Sequence, residues 1–218
     1  MSARPRPSTG SVIDWKKRRR TVAEKALPLF LNRPWPNVSI ADVADQADMS
    51  FWQIYYSFDG QEDIYRASVG LLIDAVAETC ATPPDAQARV LDTIHSFIDF
   101  AASAMQTQGY RELLYLRIRD ESNEPWLGIQ YRRRIATPLI ESLKSAISQS
   151  GHSQDLDVTI DDQCCRDTLA SLEAALAFPA LLQDHGLDDE SSHQAIRTSA
   201  RKIWTGTYTV GESLRLSA

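Results

Sequence analysis

Between Ser39 and Tyr65 the chain has no lysine and no arginine, although Asp42, Asp45, Asp48, Asp59, Glu62 and Asp63 all fall there. Cysteine is also scarce. Cys80, Cys164 and Cys165 are odd in number and have no C-x-x-C spacing, which excludes a disulfide framework and a zinc site and fits a reducing compartment. The adjacent pair Cys164 and Cys165 lies in an apolar helical pattern and reads as packing. The 9 glycines are scattered and form no phosphate-cradling loop. His95, His152, His185 and His193 have no nucleophile motif around them, so no catalytic set, metal site or cofactor is expected. No apolar run approaches the ~18 residues of a membrane span. The N-terminus is rich in Arg, Pro and Ser without an apolar centre, so the expectation is a cytoplasmic protein with no membrane partner.

What is present is an ordinary globular composition, 43% hydrophobic and 24% charged over 218 residues, enough to bury a real core. The net charge of −6 is unevenly spread. Arg4, Arg6, Lys16, Lys17, Arg18, Arg19 and Arg20 face a single acid, Asp14, in the first twenty residues. Residues 1–14 are expected to be a disordered basic arm. Such an arm can track phosphates or enter a minor groove, and it can equally be a solvated tail.

Helical periodicity runs almost throughout, so the fold class is all-α. A first helix is predicted from Trp15 to Leu31, with Pro28 kinking or loosening a turn, and Arg33 to Asn37 is expected to be non-helical. Ser39 is placed to cap a helix from Ile40 to Gln46, and Ala47-Asp48-Met49 makes a turn. Ser50, with Gln53 three residues on, has the capping-box pattern for a third helix. Helix, three-residue turn and helix form the unit that commonly lies in a groove of DNA. Further helices are predicted from Gln61 to Cys80, stopped by Thr82-Pro83-Pro84, and from Asp85 to Gln106, Tyr110 to Arg119 and Pro125 to Ser150, the last interrupted at Pro138. Two more are predicted, over about Ile160 to Gln183 and Glu190 to Val210.

The residues from Val22 to Tyr65 resemble the DNA-binding domain of the TetR family of bacterial transcriptional regulators. Ala26-Leu27-Pro28-Leu29-Phe30 is similar to the family's first-helix segment, and Val38-Ser39-Ile40-Ala41-Asp42-Val43-Ala44 to its T-[ST]-V-x-D-I-A run. Ile54-Tyr55-Tyr56-Ser57-Phe58 corresponds to L-Y-Y-H-F, and Glu62-Asp63-Ile64 to the K-E-E-L that opens the fourth helix. The resemblance covers about a quarter of the chain. It implies an N-terminal three-helix helix-turn-helix domain, residues 15–66, followed by a larger helical ligand-binding and dimerisation domain, residues 67–218. The implied activity is that of a homodimeric repressor that binds a double-stranded DNA operator and responds to an unidentified small-molecule effector. An alternative is a module of the same fold that binds ligand or protein and has weak or lost DNA binding.

The departures from the family pattern fall on the DNA-contacting positions. The turn glycine is Asp48; Phe51 and Trp52 stand where Lys or Arg and Gly are common; Ala41 replaces a frequent Arg, Ser57 a His, and Gln61 the usual phosphate-binding Lys. Hydroxyls, amides and the basic cluster would therefore contact DNA: Lys16, Lys17, Arg18, Arg19, Arg20, Ser39, Ser50, Phe51, Trp52, Gln53, Tyr55, Tyr56, Ser57 and Gln61. Ile54 and Phe58 read as core. Consecutive rings cannot all face inward on a helix, so some of Phe51, Trp52, Tyr55 and Tyr56 are exposed.

In the second domain the residues able to line a ligand pocket are Phe97, Phe100, Met105, Tyr110, Tyr115, Trp126, Tyr131 and Phe178, with His95 and Glu173 as polar groups that can orient a ligand. Taken singly, each reads first as core packing. Arg132-Arg133-Arg134 reads as a solvated helix face. The small-residue helices near the C-terminus, with Leu169, Ala170, Ala174, Ala177, Ile203 and Trp204, are candidates for a four-helix dimer interface, and a monomer core would have the same pattern.

Overall fold

The computed structural model describes residues 9–150 and 162–174, with no β-strand among the described residues. The chain divides into two compact units, residues 1–74 and 75–218, a boundary inside the fourth helix and later than residue 66.

In the first unit α1 spans Thr9–Asn32, beginning six residues before Trp15, so Thr9 to Asp14 are helical and not part of an unstructured arm. Val22, Ala26 and Phe30, spaced by one helical turn, are all completely buried. Pro28 lies within the helix without ending it; its ring is on the exposed side. The segment after α1 contains one 3₁₀ turn, Trp35–Asn37, opened by the fixed φ of Pro34 and Pro36, where a non-helical stretch is expected from sequence.

The next two helices, α2 (Ile40–Ala47) and α3 (Phe51–Ser57), start at the predicted caps. Ser39 Oγ accepts the Asp42 N–H at 3.0 Å, and the Asp42 carboxylate takes the Ser39 N–H at 2.8 Å. Ser50 and Gln53 repeat the arrangement, with the Ser50 N–H donating to Gln53 Oε1 at 2.8 Å. Between the helices Asp48 adopts φ 54°, ψ 50°, the left-handed conformation that a glycine would take without steric cost. The fourth helix, α4 (Gln61–Thr79), closes the core with Ile64, Tyr65, Val69 and Ile73. Phe30 meets Tyr65 edge to face at 5.3 Å.

The second unit contains α5 (Val90–Met105), α6 (Gln108–Asp120), α7 (Pro125–Tyr131), α8 (Thr137–Gln149) and α9 (Asp162–Leu172). Helix α5 starts at Val90, later than the predicted Asp85, because the Thr93 hydroxyl takes the Gln87 N–H at 2.8 Å and holds the preceding residues in a loop. A π turn, Arg132–Ala136, separates α7 from α8. Pro138 has no N–H to give to the carbonyl four residues back, and the Thr137 N–H instead reaches Arg132 O, five residues back. The core joins Ile94, Phe97 and Ile98 of α5 to Leu139, Leu143 and Ile147 of α8 and to Cys165, Leu169 and Leu172 of α9.

Candidate nucleic-acid interface

Helix α3 presents a continuous aromatic face. Phe51, Trp52, Tyr55 and Tyr56 are 47, 63, 58 and 78% exposed, while Ile54 and Phe58 are buried. The rings brace one another: Phe51 lies near-parallel to Tyr55 at 6.4 Å, and Trp52 meets both Phe51 and Tyr55 edge-on at 6.0 and 6.1 Å. Gln53 is exposed beside them, its side-chain oxygen held in the cap by Ser50. Ser39 and Ser50 are also exposed, with their hydroxyls engaged in the same caps.

Three residues expected at the surface face inward. Arg19 binds the Asp63 carboxylate through both terminal nitrogens, at 2.8 and 2.7 Å, and donates to the Ser57 carbonyl at 2.6 Å. Its guanidinium lies 4.2 Å from the Phe58 ring centroid. The Arg19 guanidinium, aided by the Asp59 N–H, holds the Asp63 carboxyl below the usual aspartate range. Ser57 is buried, and its hydroxyl donates to Gln53 O four residues back at 2.8 Å. The Gln61 amide donates to the Val38 carbonyl, tying the start of α4 to the segment before α2. Arg20 is exposed and pairs with Glu24 at 2.8 Å; Lys16 and Lys17 are exposed and Arg18 is half-buried. Lys25, not singled out from sequence, donates to the Ala47 carbonyl at 3.1 Å and steadies the C-terminal end of α2.

In the second unit the structure brings together three of the residues considered for a ligand. Tyr110 on α6 and Tyr131 on α7 place their hydroxyls 2.7 Å apart, and both donate to the carboxylate of Glu173, in Tyr110's case at 2.7 Å. Burial raises the Glu173 carboxyl above the usual glutamate range, opposed by the Tyr110 hydroxyl and by Arg117. Arg117 sits 3.7 Å from the Tyr131 ring centroid and bonds Glu121 at 3.1 Å. Only the i, i+4 spacing of Arg117 and Glu121 marks this arginine in the sequence. Phe97 and Met105 are core, Phe100 and Trp126 half-buried, and Tyr115 is exposed under the Arg119 guanidinium at 5.1 Å. His95 Nε2 is buried and has no hydrogen-bond partner among the described residues. Burial pushes the Cys80 thiol up to about 11, so it stays protonated. Arg132, Arg133 and Arg134 are exposed, as are Ala170 and Ala174, whereas Leu169 is buried. Phe178, Ala177, Ile203, Trp204 and the helix predicted over 190–210 lie outside the described residues, as does the Cys164 side chain.

Two solved structures align over most of the chain. A TetR transcriptional regulator from Chloroflexus aurantiacus matches with TM-score 0.66 and 19% identity over 88% of this chain and 96% of its own. A TetR-family regulator from Mesorhizobium loti matches with TM-score 0.66 and 13% identity over 88% and 97%. The fold is that of TetR-family transcriptional regulators. No family profile matches the TetR-like chain. Among curated proteins, the Nucleoid occlusion protein of Shouchella clausii is 24% identical over 115 residues, covering 53% of this chain and 38% of that protein. The chain thus spans about two fifths of the length of the curated relatives it matches, that of Halalkalibacterium halodurans being covered to 40%. No helix among the described residues is long and apolar enough to cross a membrane.

Proposed function

We propose that this TetR-like protein is a cytoplasmic, homodimeric transcriptional regulator that binds an operator in double-stranded DNA and represses, with release triggered by a small-molecule effector. The observation that carries the reading is the outward face of α3, where Phe51, Trp52, Gln53, Tyr55 and Tyr56 stand clear of the core on a helix started by the Ser50 cap after the left-handed turn at Asp48. The first turn of such a helix meets base edges, and the tyrosine hydroxyls farther along reach phosphates. The effector would act in the second unit, where Tyr110, Tyr131 and Glu173 join α6, α7 and the turn after α9. Dimerisation would use the surface that bears Ala170 and Ala174.

The test is selection of duplexes from a random pool at low salt, followed by gel retardation and by light scattering of the complex. Recovery of a two-fold symmetric site by a dimer supports the proposal. A second reading, a protein-binding module of the same fold with little DNA affinity, draws on the inward engagement of Arg19 and on the absence of cations from Ser39 to Tyr65. A folded dimer that enriches no duplex would favour it. Ala174→Arg yielding a folded monomer would support the proposed interface, and an intact dimer would move it elsewhere.

A further inference from the structure

The side chains of Phe51, Trp52 and Gln53, in the first turn of α3, leave no free acceptor. Phe51 offers only its ring, and Trp52 offers a ring and one N–H donor. The Gln53 side-chain oxygen is engaged by the Ser50 N–H at 2.8 Å and the Ser50 hydroxyl at 3.1 Å, which leaves its NH₂ as a donor. Ser50 Oγ in turn accepts the Gln53 N–H at 3.3 Å. The bidentate contact that glutamine makes with adenine needs both amide atoms, so the intact cap forbids it. Two apolar faces and two donors therefore form the outer surface of this turn.

The four base edges of the major groove respond differently to that inventory. Adenine and cytosine each present an amino donor, which would meet no acceptor on Phe51, Trp52 or Gln53. Guanine presents two acceptors and no methyl group. Thymine alone presents an acceptor, O4, beside the C5-methyl group. We propose that the first turn of α3 reads thymine, with Phe51 and Trp52 packing on C5-methyl groups. The inference rests on the reading of α3 as the DNA-recognition helix and names what that helix selects.

Charge and geometry are consistent with an apolar readout. Contact with a methyl group releases no counterions, so it needs no cation, and none is present from Ser39 to Tyr65. Asp45, Asp48 and Asp59 are exposed on the same unit and weaken attraction to any phosphate backbone, whatever its sequence. Apolar base contacts would then supply a large share of the binding. The edge-to-face packing of Phe51 on Trp52 at 86° orients the two rings against each other, which lowers the side-chain freedom lost on contact.

The experiment uses the full chain and a duplex selected from a random pool. Each thymidine of that duplex is replaced in turn by deoxyuridine, which removes only the C5-methyl group, and affinity is read by gel retardation. The expected result is a loss of about fourfold at each contacted thymine, the fold-change for exposing one CH₂-sized group. Phe51→Ala and Trp52→Ala should bind the thymine duplex more weakly and lose the discrimination. Equal affinity for thymine and uracil duplexes would overturn the inference and leave DNA recognition standing. Tighter binding to either separated strand than to the duplex would also overturn it, since exposed rings can stack on unpaired bases. Failure to enrich any duplex would remove the DNA reading itself, and the inference with it.

Discussion

Arg19 and Asp63, on the first and fourth helices, are joined by two hydrogen bonds of 2.8 and 2.7 Å, and the same arginine closes on the Ser57 carbonyl at the end of α3. A cation from the basic cluster thus ties the end of α3 to α1 and α4. The two side chains are 25 and 31% exposed, between the surface and buried regimes, so Asp63→Asn should cost about 1–2 kcal/mol. The Asp63 carboxyl titrates below its unfolded value, so its stabilisation is present above the ordinary aspartate range and is lost as pH falls through the folded value. Thermal melts of wild type and Asp63→Asn should differ at pH 7 and converge below about pH 4. Melts that stay parallel would show that the pair does not control stability.

Ser57 and Gln61 separate structural from DNA-contacting roles. Ser57→Ala should leave duplex affinity unchanged and cost about 1 kcal/mol in chemical denaturation, because the buried hydroxyl bonds only its own helix. Gln61→Lys should steepen the dependence of log K on log salt by about 0.9, as expected for one added phosphate contact. An unchanged slope would place the start of α4 away from the DNA backbone.

Glu173 has the opposite pH signature. Burial raises its folded-state value, so its contribution is fully present below the ordinary glutamate range and is lost as pH rises through the folded value. Glu173→Gln retains an acceptor for Tyr110 and Tyr131 without the buried charge. Its melting temperature should therefore fall less than that of wild type between about pH 4 and 7. Circular dichroism melts across that range are the check, and identical profiles would show that Glu173 titrates as it does in the unfolded chain.

At Asp48 the left-handed backbone carries a steric cost that glycine avoids, offset in part by the greater freedom of glycine in the unfolded chain. Asp48→Gly should raise stability by up to about 1 kcal/mol, and Asp48→Val should lower it by more than that. Urea titrations distinguish these outcomes. A destabilised glycine variant would mean that the aspartate side chain contributes something beyond conformation.

Legibility follows the range of the interaction. The caps at Ser39 and Ser50 involve partners three residues away, and the left-handed turn at Asp48 occupies one residue, so both can be read from neighbours in the chain. The helical period alone separates Ile54 and Phe58, which are buried, from the exposed rings beside them. The bounds of α5 and the π turn before Pro138 were less legible, since they depend on a side-chain bond to a loop and on how a helix accommodates a missing donor.

By itself the sequence determined the all-α class, the helix-turn-helix with its caps, and the aromatic character of α3, because these follow from local periodicity and from side chains reaching their own backbone. Only the tertiary structure decided which polar groups remain outward. Arg19 meets a carboxylate 44 residues away, the Gln61 amide a carbonyl 23 residues away, and Tyr110 a carboxylate 63 residues away. Several arginines on one helix are equivalent in composition, and only packing against a particular neighbour makes one of them bury its charge. The same packing leaves Phe51 and Trp52 outside the core, braced only by neighbouring rings on α3, since that helix is too short to bury more than the one face that carries Ile54 and Ser57.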